Sequence, residues 1–479
     1  MRNSIFSILF VLLLTGYCNN LNGQCVIRGK VACDGKGVKG VVVTDGIYCV
    51  QTNDNGEYTI PSLKSSRFVY ISTPAGYITE CKDKTIPQFY KIIENGTDAY
   101  DFEIYRNPKD DKNHVFIVQA DVQLVDGDNL KRYTKILQDC KTLTEKYRDK
   151  DIFGIDCGDI VGDTPSLFPG YIKASSVLGF PVYRAIGNHD MDYFGRSHET
   201  SYKTFESYFG PVYYSFNKGN AHYIVIDNSF FLGRDYFYMG YIDERTYAWL
   251  EQDLAYVKKD SPVFIIIHIP SRLDEKQKPF EYNADAVADQ TVNTNALYEM
   301  LKPYNAHIIS GHMHYNHNIV HHSRLMEHNT GAVCGTWWRG DICLDGTPQG
   351  YGVYEVTGSD VKWYFKSSGF SEKYQFRAYP PGRSSEYPQD VVINVWNWDK
   401  EWKVEWLEND KIQGEMTHFT GVDPDAEILC SDKEKIKYDW ISVIKTQHLF
   451  RASPKNPAAK ISIKVTDRFG NIYLEDIKH

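Results

Sequence analysis

The chain has 479 residues, 42% hydrophobic and 24% charged, with a formal net charge of −9. That length exceeds one ordinary core and predicts two or three domains of normal globular composition. The acidic balance, with no long basic run, excludes nucleic acid as a partner. The 35 Tyr and 9 Trp suit β-rich domains and fill sandwich cores.

The N-terminus reads as a targeting segment. Arg2 supplies a positive start, and "IFSILFVLLL", Ile5 to Leu14, is a ten-residue apolar run. This is short for a bilayer span and fits a signal peptide, residues 1–23, with cleavage after "LNG". The expected location is therefore exported: periplasmic, cell-surface or secreted. Cys18 would give membrane attachment by lipidation, but Tyr17 stands where a small residue is needed before a lipidated cysteine. Cys25, Cys33, Cys49 and Cys81 crowd the region that follows, where export permits disulfides.

Residues 24–107 read as all-β. "GVKGVVVTDG" and "CVQTNDNGEYTIP" alternate β-branched runs with Asn-Gly and Asp-Gly turn signals. The "TNDNGEYTIP" turn resembles small sandwiches of the prealbumin or carboxypeptidase-regulatory kind. "RNPKDDKNH" follows as a polar linker. From 112 to 365, apolar runs at 115–120, 152–156, 182–186, 222–227, 262–268 and 305–310 alternate with helix-like segments. "NLKRYTKILQDCKTLTEKY" and "DERTYAWLEQDLAYVKK" carry apolar residues at helical spacing. The alternation predicts an α/β architecture. Residues 366–479 return to a period-2 pattern, as in "QDVVINVWNWDKEWKVEWLEND", and predict a second β-sandwich.

Polar residues collect where the strands of the middle region end. Asp121 and Gln123 follow the first, Asp159 in "CGDIVGD" the second, and "GNHD" (Gly187 to Asp190) the third. His268 closes a later run, and "GHMH" (Gly311 to His314) the last. Each has a bland reading: a turn, a helix cap, a hydrogen-bonded core histidine. Carboxyl ends of strands share one sheet edge, however, and five metal-capable segments converging there predict a metal centre.

In this order the segments resemble calcineurin-like metallophosphoesterases, exported bacterial members with accessory β domains at both ends. The family pattern Asp-x-His, Gly-Asp, Gly-Asn-His-Asp/Glu, a lone His and Gly-His-x-His stands here as Asp121-x-Gln123, Gly158-Asp159, Gly187-Asn188-His189-Asp190, His268 and Gly311-His312-x-His314. The resemblance implies a β-sandwich core flanked by helices, with two additional all-β domains. It implies two divalent ions (Mn, Fe, Zn or Mg) sharing Asp159, one with Asp121, Gln123 and His314, the other with Asn188, His268 and His312. A water bridging both would attack a phosphomonoester or phosphodiester. His189 would serve the leaving group, and Asp190 would either orient His189 or cap a helix. Gln123 departs from the pattern: a neutral amide oxygen should weaken one site and tilt it toward Mg, Mn or Ca rather than Zn.

Phosphate also calls for cations beyond the ligands. Trp337 and Arg339 in "GTWWRGD" are candidates for an aromatic wall and a phosphate contact, against a packed turn with a surface arginine. His198, Arg196 and the histidines of "HNIVHHS" are weaker candidates, better read as packing or solvated groups. The expected substrate is a phosphorylated small molecule, lipid head group or phosphoprotein. The competing reading is a cell-surface protein that binds glycan or protein, with a structural or weakened metal centre.

Overall fold

The computed structural model describes residues 24–477 apart from 64, 275–281, 437, 457 and 458. The signal-peptide reading and Cys18 lie outside the described residues. Among these residues every cysteine is free, and no helix is long and apolar enough to cross a membrane.

Two sheets packed face to face form the centre of the molecule. One runs in the order Val182–Arg184, Asp151–Asp156, Asn113–Gln119, Gly350–Thr357, Asp360–Ser367. The other runs Tyr214–Lys218, Ala221–Val225, Pro262–Ile266, Asn305–Ser310, Leu325–Asn329, His317–His322. Alternation along Asn113–Gln119 explains the packing. Phe116 and Val118 point between the sheets, where Phe116 meets Phe264 edge-on at 5.1 Å. Val115 and Ile117 point outward, under the Gly127–Thr144 helix and its Tyr133, Ile136 and Leu137. Asp126 caps that helix, accepting from the backbone of Asp128 and Asn129. The outer face of the second sheet lies under Trp249, Leu250 and Leu254 of the Glu244–Leu254 helix. Strands covered on both faces read as continuous apolar runs, which is how they appear in the sequence.

The flanking regions are both two-sheet sandwiches. The N-terminal one pairs Gln24–Cys33 with Glu57–Leu63, and Phe68–Ser72 with Val42–Thr44. Its core is continuous with the central one, with Phe89 4.6 Å from Tyr214. The C-terminal one stacks a sheet containing Val391–Asn394 and Lys445–Ala452 on a sheet containing Lys403–Glu408 and Ile461–Thr466. A helix the sequence pattern did not reveal, Pro424–Ser431, precedes Lys445–Ala452.

Two histidines of the central sandwich, the buried His114 and the half-buried His307, make it acid-sensitive. His114 bonds Asp111 O and the Tyr223 hydroxyl; His307 bonds His328. Burial lowers each to about 4. Between pH 6.5 and 4 the unfolded chain therefore binds more protons than the folded one. Stability is complete above pH 6.5 and falls as the pH drops toward 4, by roughly 3 kcal/mol per histidine at most. Urea unfolding at pH 7 and pH 5 checks this; an unchanged midpoint refutes it.

Candidate metal centre

Five loops leave the two central sheets at one edge and carry the predicted residues to a common point. Asp159 lies at its middle. Its Oδ2 is 3.3 Å from His268 Nε2 and 3.2 Å from Gln123 Nε2, and its Oδ1 accepts from the His189 backbone N–H at 2.9 Å. On one side His268 Nε2 also lies 3.0 Å from Asn188 Oδ1 and 3.2 Å from His312 Nδ1. On the other, His314 Nε2 lies 3.4 Å from Asp121 Oδ1. The acidic and imidazole groups form two sets, Asp159–His268–His312 and Asp121–Asp159–His314, each with ligand atoms within 4.8 Å of one another.

The backbone is bent to do this. Asp121, Gln123, Asp159, His312 and His314 all have positive φ, between 46° and 71°. L-residues rarely adopt that region, and strain of this kind gathers at functional sites. Gly187 is needed for closeness: a Cβ there would lie 2.1 Å from Asp159 Oδ1.

The donor set fits divalent cations. His268 Nδ1 lies 2.7 Å from the Cys157 carbonyl. Donation there leaves the Nε2 lone pair facing Asp159, as a metal ligand requires. With protein groups alone, burial opposes charge on His268, but Asp159 raises it to about 9. Burial and the charge on His268 push His312 well below its usual value. Burial also opposes ionisation of Asp159, yet His268 and His189 keep it below the carboxylate range.

Three models of one family match the chain. The "Calcineurin-like phosphoesterase" model matches residues 114–316. The "N terminal of Calcineurin-like phosphoesterase" and "C terminal of Calcineurin-like phosphoesterase" models match 25–107 and 327–473. The chain belongs to the calcineurin-like phosphoesterase family. It is accordingly a metal-dependent phosphoric ester hydrolase. No curated protein matches it. Solved structures that resemble the phosphoesterase include a dimetal phosphatase from Danio rerio, 14% identical, TM-score 0.39, covering 53% of this chain and 96% of that one. A purple acid phosphatase from yellow lupin is 13% identical, TM-score 0.40, with coverage of 72% and 67%. A 5′-nucleotidase from Candida albicans is 12% identical, TM-score 0.32, with coverage of 56% and 54%.

Within the phosphoesterase, the expectation that Asp190 orients His189 needs correction, while its alternative as a cap agrees with the structure. Asp190 does not orient His189. Its carboxylate accepts from the backbone of Val161 at 3.0 Å and Gly187 at 2.9 Å, holding the Asn188–Asp190 turn. The group that holds His189 is Asp163, whose Oδ1 lies 2.5 Å from His189 Nδ1. Burial opposes protonation of His189, but Asp159 and Asp163 raise it to about 9. Asp163 stands in "CGDIVGD", four residues after the shared ligand, and that second acid was the available signal. Trp337 lies beside His189, with ring centroids 5.4 Å apart. Arg339 lies in the same groove as Trp337. It is exposed, lines that groove with Asp126 and Asp128, and after Lys131 helps to lower the pKa of Asp128. His198 packs against Phe230 and pairs with Asp227, while His321 bonds the buried Glu327.

Gln123 also differs in detail. Its NH2 end faces Asp159 and, at 3.0 Å, His314 Nε2, while Oε1 is buried without a partner. A half-turn of the amide would bring the oxygen among the ligands. Gln123→His is expected to shift metal preference toward Zn, read by competition between Zn and Mn. Unchanged preference and affinity would leave that pocket to Asp121, Asp159 and His314.

Proposed function

We propose that the chain is an exported dinuclear phosphoesterase acting on a phosphorylated small molecule, lipid head group or phosphoprotein. The observation that carries this is one buried carboxylate, Asp159, common to two Asp/His groups, beside a histidine held by its own acid. The apolar run Ile5 to Leu14 supports export. Two divalent cations in these pockets would supply an acidified water as nucleophile and neutralise the phosphoryl oxygens.

The chain's own groups do the rest. Asp121, Gln123 and His314 define one pocket, and Asn188, His268 and His312 the other. Asp163 fixes the His189 ring through Nδ1, leaving Nε2 free to carry a proton, 4.0 Å from Asp159 Oδ2. Held there, that proton can pass to the oxygen of the departing alcohol.

The test is a metal analysis of the purified protein, followed by hydrolysis of a chromogenic phosphomonoester and phosphodiester with Mn, Zn, Fe and Mg. Two ions per chain and metal-dependent release are expected. A folded, fully metallated protein inert on both esters and on a broad phosphate panel would instead favour a binding protein.

A further inference from the structure

The loop that carries His312 and His314 is held from a distant part of the chain. Shortly after His314 comes Asn316, a buried residue. Its backbone N–H donates to Asp345 Oδ2 at 3.1 Å, and its side-chain Oδ1 accepts from the Gly331 N–H at 2.7 Å. Asp345 is fully buried, so its carboxylate needs partners inside the protein. Thr347 donates to it twice, through its N–H to Oδ1 at 2.9 Å and through its hydroxyl to Oδ2 at 2.6 Å. A further partner, His448 Nε2, lies 3.1 Å from Oδ2.

His448 belongs to the Lys445–Ala452 strand of the C-terminal sandwich. Its Nδ1 lies 2.6 Å from Asn394 Oδ1, while the Asn394 NH2 donates to the Asp345 carbonyl and to Asp423 Oδ2, each at 2.8 Å. Both partners of that NH2 are acceptors, so the amide is fixed, and with it the imidazole it faces. A second contact reaches the same loop. The His314 ring lies 5.4 Å from the ring of Trp338, which is fully buried and clusters with Leu429, Ile436 and Ile441 of the C-terminal region. Both links bear on His314, which shares a pocket with Asp121 and Asp159, whereas His312 belongs to the other. Groups that lock a ligand from behind set its orientation and so the affinity of the site.

We propose that Asp345 and His448 are positioning residues for His314, and that the C-terminal sandwich is through them a working part of the Asp121–Asp159–His314 pocket. Without His448, Asp345 stays buried with one partner fewer and its hold on the Asn316 N–H loosens. The inference rests on the two-ion reading of the metal centre.

The test is titration of the full-length protein with Mn, followed by electron paramagnetic resonance, which separates a coupled ion pair from an isolated ion. His448→Ala and Asp345→Asn should each weaken binding of one of the two ions about 10- to 100-fold, the range for losing a group behind a metal ligand. They should then show the isolated-ion signal at Mn concentrations where the wild type shows the coupled pair. His448→Gln, which keeps a donor toward Asp345, should restore most of the affinity. Arg451→Ala controls for lost stability, because Arg451 lies on the same strand but pairs with Asp390. It should lower the melting temperature and leave both affinities unchanged. Unchanged affinities in His448→Ala and Asp345→Asn overturn the positioning role, and so does an equal loss in Arg451→Ala. Asp345→Asn, equal in size to the wild type, reads the effect where His448→Ala does not fold. A wild type that takes up a single ion sinks the two-ion reading, while weaker uptake of that ion in Asp345→Asn keeps the positioning role.

Discussion

Replacing Asp159 with Asn is expected to empty both pockets together. Asp159 is buried, and its Oδ2 lies between His268 Nε2 and Gln123 Nε2, one from each side. Asparagine keeps the size but removes the charge that offsets two dications and one of the two carboxylate oxygens. The loss of Lewis-acid stabilisation is several kcal/mol, roughly a thousandfold or more in kcat. Metal analysis should show both ions gone while circular dichroism shows the fold retained. Retention of two ions would remove the bridging role. Asp121→Asn should behave differently, because Asp121 belongs to only one of the two groups.

The second large effect separates chemistry from metal binding. His189→Asn should keep both ions and lower kcat about 10²- to 10⁴-fold, the range for losing a positioned proton donor. Asp163→Asn should lie between it and the wild type, since an amide still contacts Nδ1 but no longer favours the protonated ring. Asp190→Asn should act mainly on stability, because its carboxylate satisfies backbone N–H groups rather than the imidazole. An unaffected rate in His189→Asn would remove it as the acid. A larger kinetic defect in Asp190→Asn than in Asp163→Asn would reverse the assignment made from distances.

The strands were legible because each is apolar on both faces and ends in a change of chemistry. The run at 115–120 and the observed Asn113–Gln119 differ only at the margins, and the convergence of its trailing Asp121 with His314 followed from strand order. What stayed hidden was contact between loops. Asp163 and Asp190 are both acids near His189, one distant in sequence and one adjacent. Only the fold shows that the adjacent one turns back to the main chain. Gln123 was legible as an oddity, while the end of its amide that faces Asp159 depends on the neighbouring acceptors.

The strand that leads into Asp121, Asn113–Gln119, has its antiparallel neighbour in Gly350–Thr357, beyond the last metal motif, with Val118 opposite Gly352. Synthesis therefore completes every ligand before it completes the sheet that aligns them. A nascent chain that has emerged only through His314 exposes Phe116 and Val118 along an open edge, a hazard for pairing with other chains. Truncations ending between the Gly-His-x-His motif and Ser367 should thus aggregate, although they contain every metal ligand.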